Sequence, residues 1–166
     1  LIQDKERDER TLAIEDMRFA NDSAGQWEED AAEKRKDRPR YTINKVSAAI
    51  DQVIGDQRQN RISIKVRPVS SESDENIADV YNGLIRNIEN DSKAENAYDQ
   101  AFEEQLTGGY GGYRVLTEFN DDDTFDQSIK IRCIDSAASS LFFDAFARDY
   151  DKRDATHAFL TSRISQ

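Results

Sequence analysis

The chain has 166 residues and a formal net charge of −11, and this length allows one domain with a core or a small domain with an extended arm. The negative charge argues against nucleic-acid binding by simple electrostatics, because such binding depends on clustered Lys and Arg that displace counterions. One cysteine excludes an internal disulfide, and no apolar run approaches the length needed to span a membrane. Because the sequence begins at Leu1 without a methionine, we expect a piece of a larger protein.

Residues 1–40 form a polar segment in which charges of both signs occur at high density. A helix is predicted from Asp8 to about Asn21. The small and apolar side chains on one face of this helix are Leu12, Ala13, Met17 and Ala20. A second polar helix is predicted from Trp27 to Lys36. Trp27 has no obvious packing site within this arm, so we expect the arm to dock on the rest of the chain or on another subunit. The alternative is a partly disordered arm.

A third helix is predicted after Pro39, with Thr42 as its N-cap. Its apolar stripe is expected to face a core and consists of Ile43, Val46, Ile50, Val53 and Ile54. Arg58 and Arg61 follow near the end of this helix, where positive side chains favour the negative end of the helix dipole. These two arginines are either solvated or meet an acidic neighbour across an interface.

Apolar and polar residues alternate over 62–67 and predict a half-buried strand, which Pro68 restricts to the edge or the end of its sheet. A loop rich in serine and acidic residues follows. A long helix is then predicted from Asp74 to about residue 89, because apolar side chains recur every three or four residues. These are Ile77, Val80, Tyr81, Leu84, Ile85 and Ile88.

Ser92 and Glu95 have the spacing of a capping box, which predicts that another amphipathic helix begins at Ser92. A glycine-rich run ends this helix and forms a tight corner into a strand. Its glycines are Gly108, Gly109, Gly111 and Gly112. The run lacks the strand-to-helix order of a phosphate-binding loop. It matches only part of the RNA-binding motif in which aromatic residues alternate with glycine.

Two antiparallel strands are predicted on either side of an acidic hairpin tip at residues 120–124. The side chains expected to face the core are Tyr113, Val115, Thr117 and Phe119 in the first strand and Ile129, Ile131 and Cys133 in the second. Cys133 is interpreted as a small core residue of suppressed reactivity. The tip lacks the glycine and the glutamate of a calcium-binding loop, so no metal is predicted there.

Acidic residues crowd together near the C-terminal end, at Asp144, Asp149, Asp151 and Asp154. Basic residues are interleaved with them, which favours a salt-bridged surface over a pair of catalytic carboxylates. The single histidine, His157, is interpreted as a packed or surface residue. We therefore predict no catalytic residue, no cofactor and no metal site.

These elements predict an α+β fold in which several long helices pack on a small, mainly antiparallel sheet, preceded by a polar helical arm. Residues 1–40 are the arm and residues 41–166 the α+β domain.

Several short motifs occur in a particular order along the chain. They are Phe19 with Gly25-Gln26-Trp27, Arg38-Pro39, Thr42 to Lys45, Asp56 to Arg61, Val66-Arg67-Pro68, Tyr98 to Phe102, Gly108 to Arg114, and Asp144 with Asp149 and Asp154. This succession resembles the N-terminal part of the portal proteins, or head-to-tail connectors, of short-tailed, podovirus-type bacteriophages. The chain departs from the family at Asp144-Ala145, where Asp-Pro is expected, and this affects the local turn.

The resemblance implies a subunit of a dodecameric ring at one vertex of the capsid. Terminase would drive double-stranded DNA inward through the ring, and the DNA would pass without specific binding. Capsid or scaffolding protein and tail adaptor proteins are the other implied partners, with location in the virion after assembly in the bacterial cytoplasm. The chain would form part of the wing region, without the stem and the clip.

A head-to-tail ring joins two different faces of each subunit. On this basis the candidate contact residues are Trp27, Arg58, Arg61, Asp149 and Asp154. Two alternatives remain open. One is a small module that binds single-stranded nucleic acid through Tyr110, Tyr113 and Phe119. The other is an enzyme that uses the Asp149 to Asp154 cluster with a divalent metal.

Overall fold

The computed structural model describes residues 6–21, 23–69 and 75–162. Its helices are α1 (Arg7–Asn21), α2 (Glu29–Lys34), α3 (Lys45–Gln59), α4 (Glu75–Ser92), α5 (Ala94–Gly108) and the short α6 (Ala137–Ser140), with a 3-10 turn at Ser23–Gln26. Its strands are β1 (Tyr113–Phe119), β2 (Gln127–Cys133), β3 (Leu141–Phe143) and β4 (Ala158–Leu160). They form two antiparallel pairs, β1 with β2 and β3 with β4. The α+β fold class is confirmed.

Helix α1 packs against α5, α6 and α3, so the N-terminal helix lies on the body of the chain. Ala13 and Ala20 are buried at this contact, while Leu12 on the expected face is exposed. Small residues on the inner face let the helix backbones approach closely, and Met17 lies against Gly108 at the end of α5. The division of the chain at residue 40 stays a prediction.

Helix α3 begins after Asn44, and the prediction of Thr42 as N-cap is wrong. The Asn44 side-chain oxygen accepts hydrogen bonds from the backbone N–H groups of Val46 and Ser47, both at 3.1 Å. Its amide nitrogen donates to the Ala20 carbonyl at 2.8 Å and so ties this cap to the end of α1. Asn44 therefore satisfies two orphan N–H groups of α3 and fixes the angle between two helices.

The apolar stripe of α3 is largely open, contrary to the prediction that it is core. Ile54 is buried, whereas Ile43, Val46 and Val53 are exposed. Helix α4 shows the same pattern more strongly. Four of its large apolar residues, Ile77, Val80, Tyr81 and Leu84, are at least half exposed. Both helices therefore have the periodicity of core helices, although the described residues leave much of each apolar stripe uncovered.

The predicted strand at 62–67 is not part of a sheet. Residues 61–68 run without helix, turn or bend, and Ile62 and Ile64 are exposed. The backbone of Val66 is held by the side chain of Asn82 on α4. Pairing between strands needs an opposing backbone, and the described residues supply none here.

The predicted capping box at Ser92 is also wrong. Helix α4 continues to Ser92, and Lys93 then takes a left-handed conformation (φ 51°, ψ 46°) before α5 starts at Ala94. The side chain of Ser92 is buried and its oxygen has no partner. A single residue therefore redirects the chain between two helices, and the packing of Ala94 and Ala97 fixes where α5 begins.

The β1–β2 hairpin has the predicted pairing, with Val115 opposite Ile131 and Phe119 opposite Gln127. Only β2 lies closely against α4 and α5, where Ile131 packs on Ala94 and Ala97. Strand β1 is the outer strand, so its expected core residues Tyr113, Val115, Thr117 and Phe119 are exposed.

Cys133, at the end of β2, is also exposed, and its interpretation as a core residue is wrong. Ile131 occupies the position that faces the helices, two residues before it. The Cys133 sulfur instead lies 3.8 Å from Asp135 Oδ1, at the open end of the strand.

The core is small and consists mainly of alanine. Among the described residues no large side chain is fully buried. The accessible surface is 13535 Å², whereas a compact monomer of this mass exposes about 8,400 Å². The chain therefore exposes far more surface than a compact monomer of its mass.

Candidate functional site

Arg58 and Arg61 lie at the end of α3 and form ion pairs with α5. Arg58 Nε is 3.2 Å from Asp99 Oδ2, and Arg61 contacts the same oxygen at 3.0 Å and Glu95 Oε2 at 2.9 Å. The arginine side chains are 51% and 37% exposed, while Asp99 is 16% exposed. These pairs clamp α3 to α5. The arginines do not meet the acidic residues 149–154 within this chain.

The acidic residues at 149–154 form a loop, which the Asp154 side chain closes by bonding to backbone N–H groups at its start. Asp154 accepts hydrogen bonds from the N–H groups of Arg148 at 2.6 Å and Asp149 at 3.2 Å. The bond from Arg148 is the main cause that lowers the pKa of Asp154 below its ordinary value. Arg153 Nε donates to Asp149 Oδ2 at 2.8 Å. The loop remains on the surface, where Asp149 could contact another molecule.

Trp27 is partly buried against its own chain. Its indole N–H donates to the Thr42 hydroxyl at 2.7 Å, and the amide of the preceding Gln26 donates to the Phe19 carbonyl at 2.9 Å. Trp27 therefore fastens the end of the arm to the segment that precedes α3. The indole N–H of a buried tryptophan usually has a hydrogen-bond acceptor, and here the Thr42 hydroxyl is that acceptor.

The glycine corner after α5 is required by close contacts. Helix α5 ends at Gly108, and Gly109 takes a φ of 76°, in the left-handed region that favours glycine. A Cβ atom on Gly111 would lie 1.9 Å from the Ala101 carbonyl oxygen. The corner thus folds back onto α5 at a distance that no side chain permits, and Gly112 then leads into β1.

Arg10 connects more elements than any residue chosen from the sequence. It is 7% exposed, and its guanidinium donates to the carbonyls of Ala138 at 2.5 Å and Leu141 at 2.8 Å. Its carbon centre lies 4.1 Å from the centroid of the Phe142 ring and 4.9 Å from that of Tyr110. Glu6 Oε2 lies 2.6 Å from Arg10 Nη2 and so balances the charge of the guanidinium.

The sequence signal for Arg10 was its spacing. It stands three residues before Ala13 on the buried face of α1, although the four residues before it are all charged. A charged residue on the apolar face of a helix indicates buried hydrogen-bond acceptors or an opposite charge nearby, because burying an unpaired charge is costly.

Asp144 has a structural role that was not assigned from the sequence. It is 8% exposed and accepts hydrogen bonds from the Phe146 N–H at 3.0 Å and the Thr156 hydroxyl at 2.7 Å. The Phe146 N–H, followed by Thr156, lowers the pKa of Asp144. Its own N–H donates to the His157 carbonyl at 3.1 Å. Asp144 therefore closes the long connection between β3 and β4.

The three aromatic rings considered for nucleic acid are not arranged as one stacking surface. Tyr110 is covered by Arg10, and burial raises the pKa of its hydroxyl. Tyr113 stands edge-on to Tyr98, with ring centroids 5.0 Å apart. Burial, followed by the charge of Glu89, raises the pKa of Tyr98 to about 12. Phe119 is exposed but precedes the acidic hairpin tip, where phosphate groups would be repelled.

The described part of the chain has neither a cluster of metal ligands nor a helix that could span a membrane. Among residues 6–21, 23–69 and 75–162, no group of three His, Cys, Asp or Glu side chains is placed to hold a metal ion. No helix in the same residues combines the length and the apolar character needed to cross a membrane.

Comparison with known proteins gives the family. The family model described as phage P22-like portal protein matches residues 2–166. A portal protein of Acyrthosiphon pisum secondary endosymbiont phage 1 is 34% identical over an alignment of 165 positions, which covers 94% of this chain and 23% of that relative. The chain thus spans about a quarter of the length of that relative. The resemblance inferred from the ordered motifs is confirmed, and the chain belongs to the phage P22-like portal protein family.

Proposed function

We propose that this chain is part of a structural, non-catalytic subunit of a portal ring at the capsid vertex. The complete ring would be the conduit for genome packaging and ejection and the attachment point for the tail. The observation that carries this proposal, together with family membership, is the exposed apolar surface of α3 and α4, on which Val53, Ile77 and Val80 lie open. A subunit that is covered by neighbours and by the rest of its own polypeptide needs such surface.

We propose that the ring is dodecameric and that this segment lies in its wing region. Terminase, capsid or scaffolding protein and tail adaptors remain the proposed partners of the complete protein, in a virion assembled in the bacterial cytoplasm. The net charge of −11 supports passage of DNA without specific binding, because like charges repel the duplex.

Imaging of the complete gene product by negative-stain electron microscopy tests the ring. We expect closed rings with a central hole, and native mass spectrometry of the same sample should give twelve subunits. A complete protein that stays monomeric at all concentrations, while binding single-stranded oligonucleotides in a salt-dependent manner, would refute the proposal in favour of the nucleic-acid module.

Arg58, Arg61, Trp27, Asp149 and Asp154 remain proposed subunit contacts. Reversing Arg58 or Arg61 to Glu should weaken ring assembly, but it also breaks the ion pairs with α5. Asp99→Asn is the control, because it removes the ion pairs that both arginines make with Asp99 and leaves the arginines themselves unchanged. If Asp99→Asn weakens ring assembly as much as Arg61→Glu does, a role of Arg61 between subunits is contradicted.

A further inference from the structure

The segment from Arg61 to Pro68 is straight and rich in β-branched residues, yet it belongs to no sheet. Ile62 is 96% exposed and Ile64 is 61% exposed. Polar side chains alternate with them at Ser63, Lys65 and Arg67. This is the pattern of a strand with one apolar face, and isolated strands of this kind are not stable in water without a partner.

One residue of the segment is already paired, and the pairing fixes its orientation. The N–H of Val66 donates to Asn82 Oδ1 at 2.7 Å, and Asn82 Nδ2 donates to the carbonyl of Val66 at 3.1 Å. The Asn82 amide thus pairs with both backbone groups of Val66, its N–H donor and its C=O acceptor, as the opposing residue of a neighbouring strand does. It holds the segment at a fixed place beside α4.

The opposite edge of the segment is open. In a strand, the N–H and C=O groups of alternate residues face opposite edges. Because Val66 faces α4, the backbone groups of Ser63, Lys65 and Arg67 face away from it. No backbone hydrogen bond joins residues 61–69 to any other residue in the described ranges. Pro68 lies in the same register as Val66, so its missing N–H does not interrupt the open edge.

We propose that residues 61–67 are a strand of an incomplete sheet, and that another β-strand of the same portal polypeptide, outside the 166 residues, pairs with its open edge. The backbone groups of Ser63, Lys65 and Arg67 are its hydrogen-bonding partners. Acidic side chains on that strand would fit opposite Lys65 and Arg67. The pairing deepens the family assignment but does not depend on the ring, because it occurs within one polypeptide.

Two observations favour the same polypeptide over a neighbouring subunit. The matched region covers only 23% of the related portal protein, so most of a portal polypeptide lies outside it. The apolar residues Ile77, Tyr81 and Leu84 of the adjacent helix α4 are exposed as well, so an added layer from the same chain would complete a core.

Hydrogen exchange of the complete protein, measured by mass spectrometry with single-residue fragmentation, tests the pairing. We expect the amides of Ser63, Lys65 and Arg67 to exchange at least ~100-fold more slowly than in an unfolded peptide, as paired strand amides do. The protection should be the same in the monomer and in the assembled ring. Protection that appears only in the ring would overturn the proposal, because the strand would then come from a neighbour. Rapid exchange at all three positions in both forms would also overturn it.

A matched pair of variants isolates the backbone hydrogen bond. Lys65→Pro removes the N–H that faces the open edge, while Lys65→Ala removes the same exposed side chain and keeps that N–H. We expect Lys65→Pro to raise the exchange rates of Ser63 and Arg67 at least ~10-fold and Lys65→Ala to leave them unchanged. Equal rates in the two variants would overturn the proposal. If Lys65→Pro does not fold, the exchange pattern of the unmodified protein decides.

Discussion

Arg10 is the residue whose replacement should show most clearly what holds the N-terminal helix in place. The variant Arg10→Ala removes hydrogen bonds to the carbonyls of Ala138 and Leu141 and the contact with the Phe142 ring. It also leaves the carboxylate of Glu6, which is 15% exposed, without its partner. Breaking a buried pair by removing one member costs about 3–5 kcal/mol, and hydrogen bonds to a charged group cost about 1.5–3 kcal/mol each when lost.

The expected loss is therefore about 3–5 kcal/mol in the free energy of local opening. Native-state hydrogen exchange of the complete protein measures this quantity for the amides of α1 and β3 without requiring the ring to unfold reversibly. Their exchange should accelerate by roughly a hundredfold to a few thousandfold, since 1.4 kcal/mol corresponds to a factor of ten.

Arg18 supplies a matched control, because it lies on the same helix and is exposed. Arg18→Ala should change the opening free energy by no more than about 0.5 kcal/mol. Arg10→Lys is an intermediate case, since a lysine keeps the charge but cannot make the forked set of hydrogen bonds. If Arg10→Ala and Arg18→Ala behave alike, Arg10 does not connect α1 to β3 and α6, and the reasoning is refuted.

Three further predictions concern the corner, the β3–β4 connection and the arm. Gly111→Ala should lower the thermal stability of the complete protein, by about 3 kcal/mol or more, because its Cβ would overlap the Ala101 carbonyl. Gly83→Ala, in an open part of α4, should instead raise stability by about 0.5–1 kcal/mol, and the reverse order would contradict the close contact. Asp144→Asn should destabilise the protein at neutral pH. The native pKa of Asp144 lies below its ordinary value, so this stabilisation is present at higher pH and is lost as pH falls through the native pKa. Urea titrations of both proteins should therefore differ at pH 7, and the difference should shrink as the pH falls below the ordinary aspartate pKa of 3.8. A constant difference would count against the hydrogen-bonded carboxylate. Thr42→Val should increase acrylamide quenching of the single tryptophan, because the indole N–H loses its acceptor. Unchanged quenching would show that Thr42 does not anchor Trp27.

Local sequence patterns determined the type of most elements. The helical face of α1, the stripe of α4 and the alternation of β1 and β2 depend on spacing along the chain, which is visible without a structure. The glycine corner followed from the same local chemistry. The ordered motifs also indicated the family, and the family model that matches residues 2–166 confirms it.

Tertiary structure decided what each pattern packs against. Apolar spacing predicted core for α3 and β1, but whether a stripe is covered depends on segments distant in the chain. Here β2 takes the position beside the helices and leaves β1 outside. The starts of α3 and α5 also differ from the predicted ones, and contacts between distant segments are again the reason. Asn44 donates a hydrogen bond to the Ala20 carbonyl of α1, so Asn44 and not Thr42 caps α3. Helix α4 continues to Ser92, so no helix begins there.

Charge patterns were the least informative part of the sequence. Arg10 and Arg18 are both arginines of α1, but of these two only Arg10 meets two carbonyls and two aromatic rings. Arg58 and Arg61 found acidic partners on α5, which the sequence placed about 40 residues away. The sequence by itself determined periodicity, turn chemistry and family. Only the fold decided which charges are buried and which edges stay open, because both depend on the residues that long-range packing brings together.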